Sequence, residues 1–229
     1  MFRHFFMFSI ATFTLGREKY LKKTLLGVQK SFNESIPIEH NLFFCGEEPS
    51  RDMENFISSL KYSKYINCIS SPRRSVGQNL NESKKIAKFP FFLKLDDDAE
   101  LVSNDVFIHA SEIFSYKKNS VFSPFPVGLI NNLGGIKGFA HEVVYSPKTD
   151  VVYTLRKTDH VGGFCRFCQT ETLQSVVFSD SHNEDTEFST ATRNSNDFFY
   201  LENAMIVEHQ ESTLGQHARY GDAYFNGRF

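Results

Sequence analysis

Residues 91–98 read Phe-Phe-Leu-Lys-Leu-Asp-Asp-Asp, an apolar run that ends in three consecutive acids. An apolar run of this kind predicts a buried strand about five residues long. The three carboxylates cannot all lie in a dry core, because burying an unpaired charge is too costly. Since open α/β sheets bind ligands beyond the carboxyl ends of their strands, we expect these acids to project into a cleft.

Two of the three acids can share one cation. Asp96 and Asp98 are spaced i and i+2, so they point the same way from an extended chain, whereas Asp97 points away. Carboxylate oxygens are hard ligands that suit Mg²⁺ or Mn²⁺. The alternative is an acidic turn that caps the next helix, because Asp is common at turns and N-caps.

The first hundred residues alternate between strand and helix patterns. Apolar residues at helical spacing recur between short β-prone runs. This alternation predicts an α/β fold with a mostly parallel sheet and helices on both faces. The predicted strands are 5–14, 41–45, 65–69 and 91–95, and the predicted helices are 17–31, 51–60 and 77–88.

The sequence pattern changes after residue 100. Residues 120–170 are rich in Gly, Pro and short β-prone pieces, which predicts short strands and long loops. No internal repeat or low-complexity linker separates the two parts, so we expect one fused domain over residues 1–229. The predicted helices here are 104–116, 171–178 and 185–193, and residues 198–201 and 204–207 are predicted to form a final strand pair.

Composition and charge bear on the class of protein. A net charge of −2 over 229 residues gives no general reason to expect nucleic acid as a partner. No apolar stretch approaches the roughly 18 residues of a membrane span. Four sparse cysteines without a convincing secretory segment are typical of a cytoplasmic protein. The Phe-rich N-terminus allows at most weak peripheral contact with the inner face of a membrane.

A second pattern points to a different metal. Cys165 and Cys168 form a Cys-x-x-Cys pair, and His160 and His182 lie nearby in the sequence. A zinc site formed by these side chains is therefore an alternative interpretation. A second Cys-x-x-Cys pair is missing. On one strand the two cysteines would face opposite sides, which favours buried, unreactive thiols over a zinc site.

Five short segments carry a family resemblance through their order. They are Thr12–Arg17, Glu47–Asp52, Arg74–Gly77, Leu95–Asp98, and Asn183–Asp185 followed by Arg193 and Val207–His209. In this order they resemble motifs of the GT-A glycosyltransferases, in particular the family-2 type inverting enzymes: the ending of the first strand, the acidic segment, the Asn-x-Gly segment, the DxD motif and the Glu-Asp…Arg…His pattern. The chain departs from the family by lacking Pro in the first segment and by having Glu instead of Asp in the second.

The resemblance implies a GT-A fold, which is a Rossmann-like sheet plus a smaller mixed sheet on the acceptor side. Residues 1–100 would bind the nucleotide-sugar, and residues 101–229, with the C-terminal tail, would bind the acceptor. The implied activity is metal-dependent transfer of a sugar, with inversion, from a nucleotide-sugar such as a UDP-sugar to an acceptor hydroxyl. The implied acceptor is a glycan or a lipid-linked glycan, and the implied cofactor is Mn²⁺ or Mg²⁺.

The resemblance also implies roles for individual residues. Asp98 would ligate the metal, His209 would reach the metal or the diphosphate, and Asp96 would bind the metal or the ribose. Asp185 is the implied base, with Glu184 as the second candidate, and burial in the cleft should raise the pKa of such a carboxyl group. The further implied contacts are Thr12, Thr14, Arg17, Glu47, Glu48, Arg74 and Asp97 for the nucleotide, and Gly162, Gly163, Arg193 and His217 for donor and acceptor.

Other interpretations stay open from the residues alone. The acids at 184 and 185 can cap the helix that follows them, since acids favour helix N-termini. The charged side chains assigned to the nucleotide can be ordinary solvated surface groups. The alternative functions are a nucleotidyltransferase, a retaining glycosyltransferase and a non-catalytic module that binds a nucleotide-sugar or a glycan.

Overall fold

The structure is a computed structural model, and it describes residues 6–127, 141–180 and 183–210. Within these residues, nine strands form one large sheet and three form a small one. The large sheet contains β1 (Phe8–Thr14), β2 (Ile38–Cys45), β3 (Ile66–Ser71), β4 (Phe91–Leu95), β6 (Ser120–Ser123), β8 (His141–Ser146), β9 (Val151–Thr158), β10 (Cys165–Gln169) and β11 (Asp197–Leu201). The small sheet contains β5 (Ala99–Leu101), β7 (Phe125–Val127) and β12 (Ile206–His209).

The large sheet has the strand order β3-β2-β1-β4-β10-β6-β11-β9-β8. In this described sheet β9 and β10 run opposite to the other seven strands, so the predicted mostly parallel sheet is confirmed. β4 lies between β1 and β10, and it carries the three acids beyond its carboxyl end. The acids therefore lie at the edge where the carboxyl ends of β1 and β2 also emerge, which is where open α/β sheets bind ligands.

Helices cover both faces of the large sheet, as the sequence predicts. Leu21, Leu25 and Val28 of the first helix are fully buried in one core, and their spacing places them on one helical face. The side chains of Ser50 and Ser75 cap the second and third helices. One face carries α1 (Glu18–Ser31), α2 (Arg51–Ser59) and α4 (Val106–Tyr116), and the other carries α3 (Val76–Ile86), α5 (Thr170–Gln174) and α6 (Glu184–Thr192).

The alternation along β4 decides which side chains reach each face. Leu93 and Leu95 belong to the core under α1, α2 and α4, whereas Phe92 belongs to the opposite core. Because side chains alternate along a strand, Lys94 lies on the same face as Phe92 and is buried there. The strand thus carries a buried cation next to its acidic end.

The predicted final strand pair is wrong in its pairing. β12 does not pair with β11; it lies between β5 and β7 in the small sheet, antiparallel to β5 and parallel to β7. Ala204, with φ of 67°, lies in the left-handed region and turns the chain between the two strands. The pairing places His209 opposite Ala99, next to the acids.

No helix in the described ranges is long and apolar enough to cross a membrane.

Candidate active site

Arg17 binds two of the three acids. It follows β1, and its Nε donates to Asp97 Oδ2 at 3.1 Å while its Nη1 donates to Asp98 Oδ2 at 2.7 Å. Its Nη2 also donates to Asp97 Oδ1. The Thr24 hydroxyl donates to the Asp97 carbonyl at 2.9 Å, which fixes the backbone of the acidic segment. Asp97 is thus turned away from Asp96, as predicted, and is held by Arg17.

Both acids under Arg17 are buried. Burial raises the pKa of Asp97, the Arg17 guanidinium opposes that rise, and the charge of Asp98 adds to it. Thr14, predicted to bind the nucleotide, is buried beside this carboxylate. The Arg17 side chain itself is 16% exposed, so the cation that neutralises these acids can be reached from the cleft.

Asp98 and His209 lie close enough together to be tested as ligands of the implied cation. His209 Nε2 is 3.7 Å from Asp98 Oδ1, and both residues are buried. Asp96 is turned to Lys94 instead, and no group of three potential ligands converges among the described residues. Mg²⁺ typically takes one or two carboxylates and completes its shell with phosphate oxygens and water. One carboxylate and one imidazole fit two positions of an Mg²⁺ or Mn²⁺ shell, and ligands other than these two residues would fill the remaining positions.

Lys94 connects three segments that lie far apart in the sequence. Its Nζ donates to Asp96 Oδ1 at 2.7 Å and to the Gly163 carbonyl at 2.5 Å. Glu184 Oε1 lies 3.4 Å from the same nitrogen. Burial lowers the pKa of Lys94, but the charges of Asp96 and Glu184 outweigh it and raise the pKa, so the side chain is an ammonium ion.

The glycine pair allows this close packing. A Cβ at Gly163 would lie 2.8 Å from Glu184 Oε1 and 3.2 Å from Lys94 Nζ, so only glycine fits here without displacing them. A Cβ at Gly162 would lie 3.0 Å from the Phe164 ring. The structure thus brings the predicted Gly162-Gly163 segment against both candidate bases.

Asp185 lies in the first turn of α6 and contacts a histidine. His160 Nε2 is 3.4 Å from Asp185 Oδ2, and His160 Nδ1 is 3.0 Å from Ser189 Oγ. Burial raises the pKa of Asp185, but the hydrogen bond and charge of His160 and the charge of Lys94 lower it to about 2. The expectation of a raised pKa is therefore wrong for Asp185, because the sequence does not show His160 beside it.

Arg166 is a second buried cation on this face. It lies directly opposite Lys94 in the β10–β4 pair and is 1% exposed. Its guanidinium carbon is 4.0 Å from the centre of the Phe188 ring, a cation–π geometry. Neither of its terminal nitrogens has a hydrogen-bond partner within the described part of the chain.

A cavity of about 750 Å³ opens beside Arg17. Its walls come from residues 15–20 after β1, residues 45–47 after β2 and Arg73 after β3. It therefore lies at the carboxyl ends of three adjacent parallel strands. Gly16, with φ of 76°, has no room for a side chain, because a Cβ there would collide with the Glu47 carboxylate.

The structure separates residues that the sequence treats as equivalent. Glu47 lines the cavity, whereas Glu48 accepts hydrogen bonds from Ser70 at 2.7 and 2.8 Å. Arg73 lines the cavity, whereas Arg74 Nη1 lies 3.7 Å from Glu82 Oε1 on α3. Glu47 and Arg73 are therefore the members of these two pairs that face the cavity.

Two predicted residues are not brought to the site, and a third lies outside the described residues. Thr12 is fully buried, with its hydroxyl 3.0 Å from His40 Nε2, and burial lowers the pKa of that histidine to about 3. Arg193 is exposed at the C-terminal end of α6, two turns from Asp185. His217 lies outside the described residues.

The cysteine pair does not form a shared metal site. Cys165 packs in the core under α1 and Cys168 packs in the opposite core, as expected for two residues three apart on a strand. Burial raises the pKa of Cys168 to about 12 and also raises that of Cys165. Both thiols therefore stay protonated, and His182 lies outside the described residues.

Comparison with known proteins identifies the fold. No family model and no curated protein matches the chain. Among solved structures, TarS of S. aureus in complex with UDP-GlcNAc matches with a TM-score of 0.66 and 16% identity over 90% of this chain and 59% of that chain. The mannosyltransferase PcManGT from Pyrobaculum calidifontis, in complex with GDP-Man and Mn²⁺, matches with a TM-score of 0.67 and 11% identity over 93% and 59%.

The chain spans only part of these neighbours. It covers 40% of the chain in a further S. aureus TarS structure, at 16% identity and a TM-score of 0.63. At such identities the likeness shows the fold alone. The fold is an α/β fold with a mostly parallel central sheet and a smaller second sheet, as the sequence predicts, and it is similar to the fold of these neighbours.

Proposed function

We propose that the chain transfers a sugar from a nucleotide-sugar to an acceptor hydroxyl, with residues 1–100 binding the donor and the rest binding the acceptor. One observation carries this proposal. Arg17 lines the 750 Å³ cavity and also binds the acids Asp97 and Asp98, so the cavity and the charged centre share a wall. A nucleotide in the cavity places its diphosphate at this centre.

The donor is a nucleoside diphosphate sugar, and we infer a UDP-sugar. The cavity has the size of a typical small-molecule site and can hold a nucleoside. Arg73 supplies a cation for phosphate or base, and Glu47 supplies an acceptor for a base N–H. Solved neighbours carry UDP-GlcNAc, UDP and GDP-Man, which supports the donor class.

We infer that the donor binds with Mn²⁺ or Mg²⁺. Asp98 and His209 would hold the cation, and the chemistry it would supply is stabilisation of the negative charge on the leaving diphosphate. A neighbour in complex with GDP-Man and Mn²⁺ supports this choice of ion. Arg17 adds a second positive charge on the same side of the cleft.

Asp185 is the proposed base, and the transfer inverts the anomeric centre. The acceptor oxygen forms a bond to the anomeric carbon, the bond from that carbon to the diphosphate oxygen breaks, and the electron pair leaves with the diphosphate. The acceptor proton goes to the Asp185 carboxylate. With a pKa of about 2, the Asp185 carboxylate is ionised across the working pH range and can accept the proton, but it is a weaker base than a carboxylate whose pKa lies near that range.

The acceptor is a glycan or a lipid-linked glycan. Gly163 lies beside Glu184 and Asp185, and Glu184 and Lys94 fill the space that a side chain there would need, so this glycine fixes the backbone next to both candidate bases. Glu184 is the second candidate base, but its carboxylate faces Lys94 and is 7% exposed. Asp185 is therefore better placed to meet an acceptor that enters from solvent.

Thermal unfolding against UDP, GDP and their sugars, each with Mn²⁺ and with EDTA, tests the proposal first. A ligand at about a hundred times its dissociation constant stabilises a fold by roughly 2.7 kcal/mol. We expect a Mn²⁺-dependent shift with UDP and at least one UDP-sugar. Folded protein that shifts with none of these ligands would contradict the donor site.

Turnover and stereochemistry test the rest. Release of UDP from the stabilising UDP-sugar in the presence of glycan acceptors is the expected activity, and NMR of the product should show an inverted anomeric centre. Retention would overturn the role of Asp185 as base. A donor that binds without any turnover would favour a binding module, and release of pyrophosphate from a nucleoside triphosphate would favour a nucleotidyltransferase.

A further inference from the structure

Lys94 is the one described side chain that touches the acidic segment after β4, the glycine segment and the Glu-Asp segment together. The contacts are 2.7 Å to Asp96, 2.5 Å to the Gly163 carbonyl and 3.4 Å to Glu184. Gly163 and Glu184 lie 69 and 90 positions after Lys94 in the sequence, and the fold brings both to its side chain, which therefore joins the donor side of the cleft to the base side.

Burial and neighbouring charges hold the Lys94 side chain in these three contacts. Lys94 is 2% exposed, and Arg166 lies opposite it on β10, so two buried cations share one face of the sheet. Such a pair is costly unless carboxylates neutralise it. Asp96 and Glu184 supply that charge directly at Lys94, and the charges of Glu184, Asp185 and Asp96 act on Arg166.

We propose that Lys94 is a positioning residue: its ammonium fixes the separation between the diphosphate-binding acids and the candidate base. Lys94 does not line the cavity and has no described hydrogen bond to Asp185, so it acts through its bonded partners and, at Asp185, through its charge. Held by Lys94, the Gly163 backbone and Glu184 set the start of α6, where Asp185 lies. The inference rests on the proposed function for its catalytic consequence, but its structural part stands independently.

The structural part is tested by an unfolding cycle that needs no activity. Lys94→Met keeps the length of the side chain but leaves Glu184 buried beside Arg166 without its ammonium partner. Glu184→Gln in that background removes the unpaired charge. We expect the double variant to unfold at a higher urea concentration than Lys94→Met alone, although Glu184→Gln by itself lowers the midpoint. If the loss of unfolding free energy in the double variant equals the sum of the losses in the two single variants, the proposal is overturned.

The catalytic part is tested by separating turnover from binding. We expect Lys94→Met to lower turnover of the UDP-sugar about 10²-fold, the effect of losing one preorganised interaction, while calorimetry with UDP and Mn²⁺ shows an unchanged affinity. Lys84→Met is the matched control, because Lys84 also bonds a backbone carbonyl, that of Val176, far from the cleft. Unchanged turnover in Lys94→Met, or an equal loss of turnover and UDP affinity, would overturn the positioning role.

A second variant covers the case in which Lys94→Met does not fold. Gly163→Ala keeps every charge but places a methyl group 2.8 Å from Glu184 Oε1 and 3.2 Å from Lys94 Nζ. We expect the same loss of turnover with UDP affinity kept, and wild-type turnover in folded Gly163→Ala would overturn the proposal. If the wild-type chain itself turns over no nucleotide-sugar, the proposed function fails, and the unfolding cycle still decides the role of Lys94.

Discussion

The three acids after β4 are divided between two cations that differ in their access to solvent. Asp97 and Asp98 belong to Arg17, which lines the cavity and is 16% exposed. Asp96 belongs to Lys94, which is 2% exposed and also holds Glu184. Both cations pair with acids of the same segment, but Arg17 does so at the wall of the cavity, which we call the open side, and Lys94 does so inside the protein, which we call the closed side.

This difference in access to solvent implies that the ion pairs of Arg17 can be exchanged for other partners, whereas those of Lys94 cannot. At the open wall, a ligand or a divalent cation can replace Arg17 as the partner of the acids, since their charges still find a counterion. Inside the protein, removing Lys94 leaves the buried Glu184 carboxylate without its ammonium partner and out of reach of ions from solvent. We expect substitutions on the open side to change ligand binding and to cause losses of stability that a metal ion can restore, and substitutions on the closed side to change turnover or to cause losses of stability that no metal ion restores.

The largest expected effect is at Asp185, on the base side. Asp185→Asn removes the proton acceptor but keeps the size of the side chain, so turnover should fall by about 10²- to 10⁴-fold. Because Asp185 lies away from the cavity, the thermal shift with UDP and Mn²⁺ should be kept. Steady-state kinetics and thermal unfolding measure the two quantities.

Glu187→Gln is the control for Asp185→Asn. It removes a carboxylate from the same helix, where Glu187 contacts Ser179 and lies outside the cleft. We expect near wild-type turnover from it. If Asp185→Asn keeps its turnover, the base is another residue, and the division of the cleft into a donor side at the cavity and a base side at Asp185 is wrong.

The next effect is at Arg17, on the open side. Arg17→Ala leaves Asp97 and Asp98 buried without their cation, so the free energy of unfolding should fall by about 3 kcal/mol. Mn²⁺ alone should then stabilise the variant more than it stabilises the wild type, because it can take over the charge of Arg17. Urea unfolding with Mn²⁺ and with EDTA measures both effects.

Lys19→Ala controls for the loss of positive charge from the cavity wall. Lys19 is exposed on the same wall, and among the described contacts it makes none with the acids. Its unfolding should resemble that of the wild type with and without Mn²⁺. If Mn²⁺ stabilises Arg17→Ala and the wild type equally, then the ion cannot replace Arg17, and the pairing of Arg17 with Asp97 and Asp98 is as fixed as the pairing at Lys94.

A smaller effect is expected at the neighbouring arginines. Arg73→Ala should weaken UDP affinity about tenfold, the value of one charge-assisted hydrogen bond, because Arg73 lines the cavity. Arg74→Ala should leave affinity unchanged, because Arg74 faces Glu82. Calorimetric titration with UDP compares the two, and a reversed order would place the nucleotide outside the cavity.

The sequence predicts the fold well because the fold follows from local patterns. The apolar run before the acids and the helical spacing in residues 17–31 correspond to β4 and α1 within a few residues. The pairing of residues 204–207 is predicted wrongly, because the turn at Ala204 that redirects this strand has no glycine to mark it. Strand type is local, whereas the choice of partner strand depends on the whole chain.

The site is predicted less completely, for a related reason. Asp98 and His209 are brought together as the motif order implies. Lys94, Arg73 and His160 were missed as site residues because their roles come from contacts across the fold. Lys94 does leave a signal in the sequence, since a lysine in the middle of a five-residue apolar strand must be buried and must therefore be paired.

The smallest effect concerns the pKa of Asp185, which lies at about 2 chiefly because His160 opposes the effect of burial. A carboxyl group with a lowered pKa contributes stability above its unfolded value of about 3.9 and loses that contribution as the pH falls through about 2. His160→Ala removes the hydrogen bond and the positive charge, so burial should dominate and the pKa should rise. The acid limb of kcat/KM should then move to higher pH, with little change in turnover at pH 8.

His160→Gln separates the hydrogen bond from the charge, since its amide can still donate to Asp185. We expect its acid limb to lie between those of the wild type and His160→Ala. Carboxyl carbon NMR of Asp185 gives the same order of pKa values without relying on activity. If His160→Ala leaves the pKa of Asp185 unchanged, then the charge of Lys94 and the hydrogen bond from the Thr186 backbone N–H are enough to keep that pKa low, and His160 does not control the base side of the cleft.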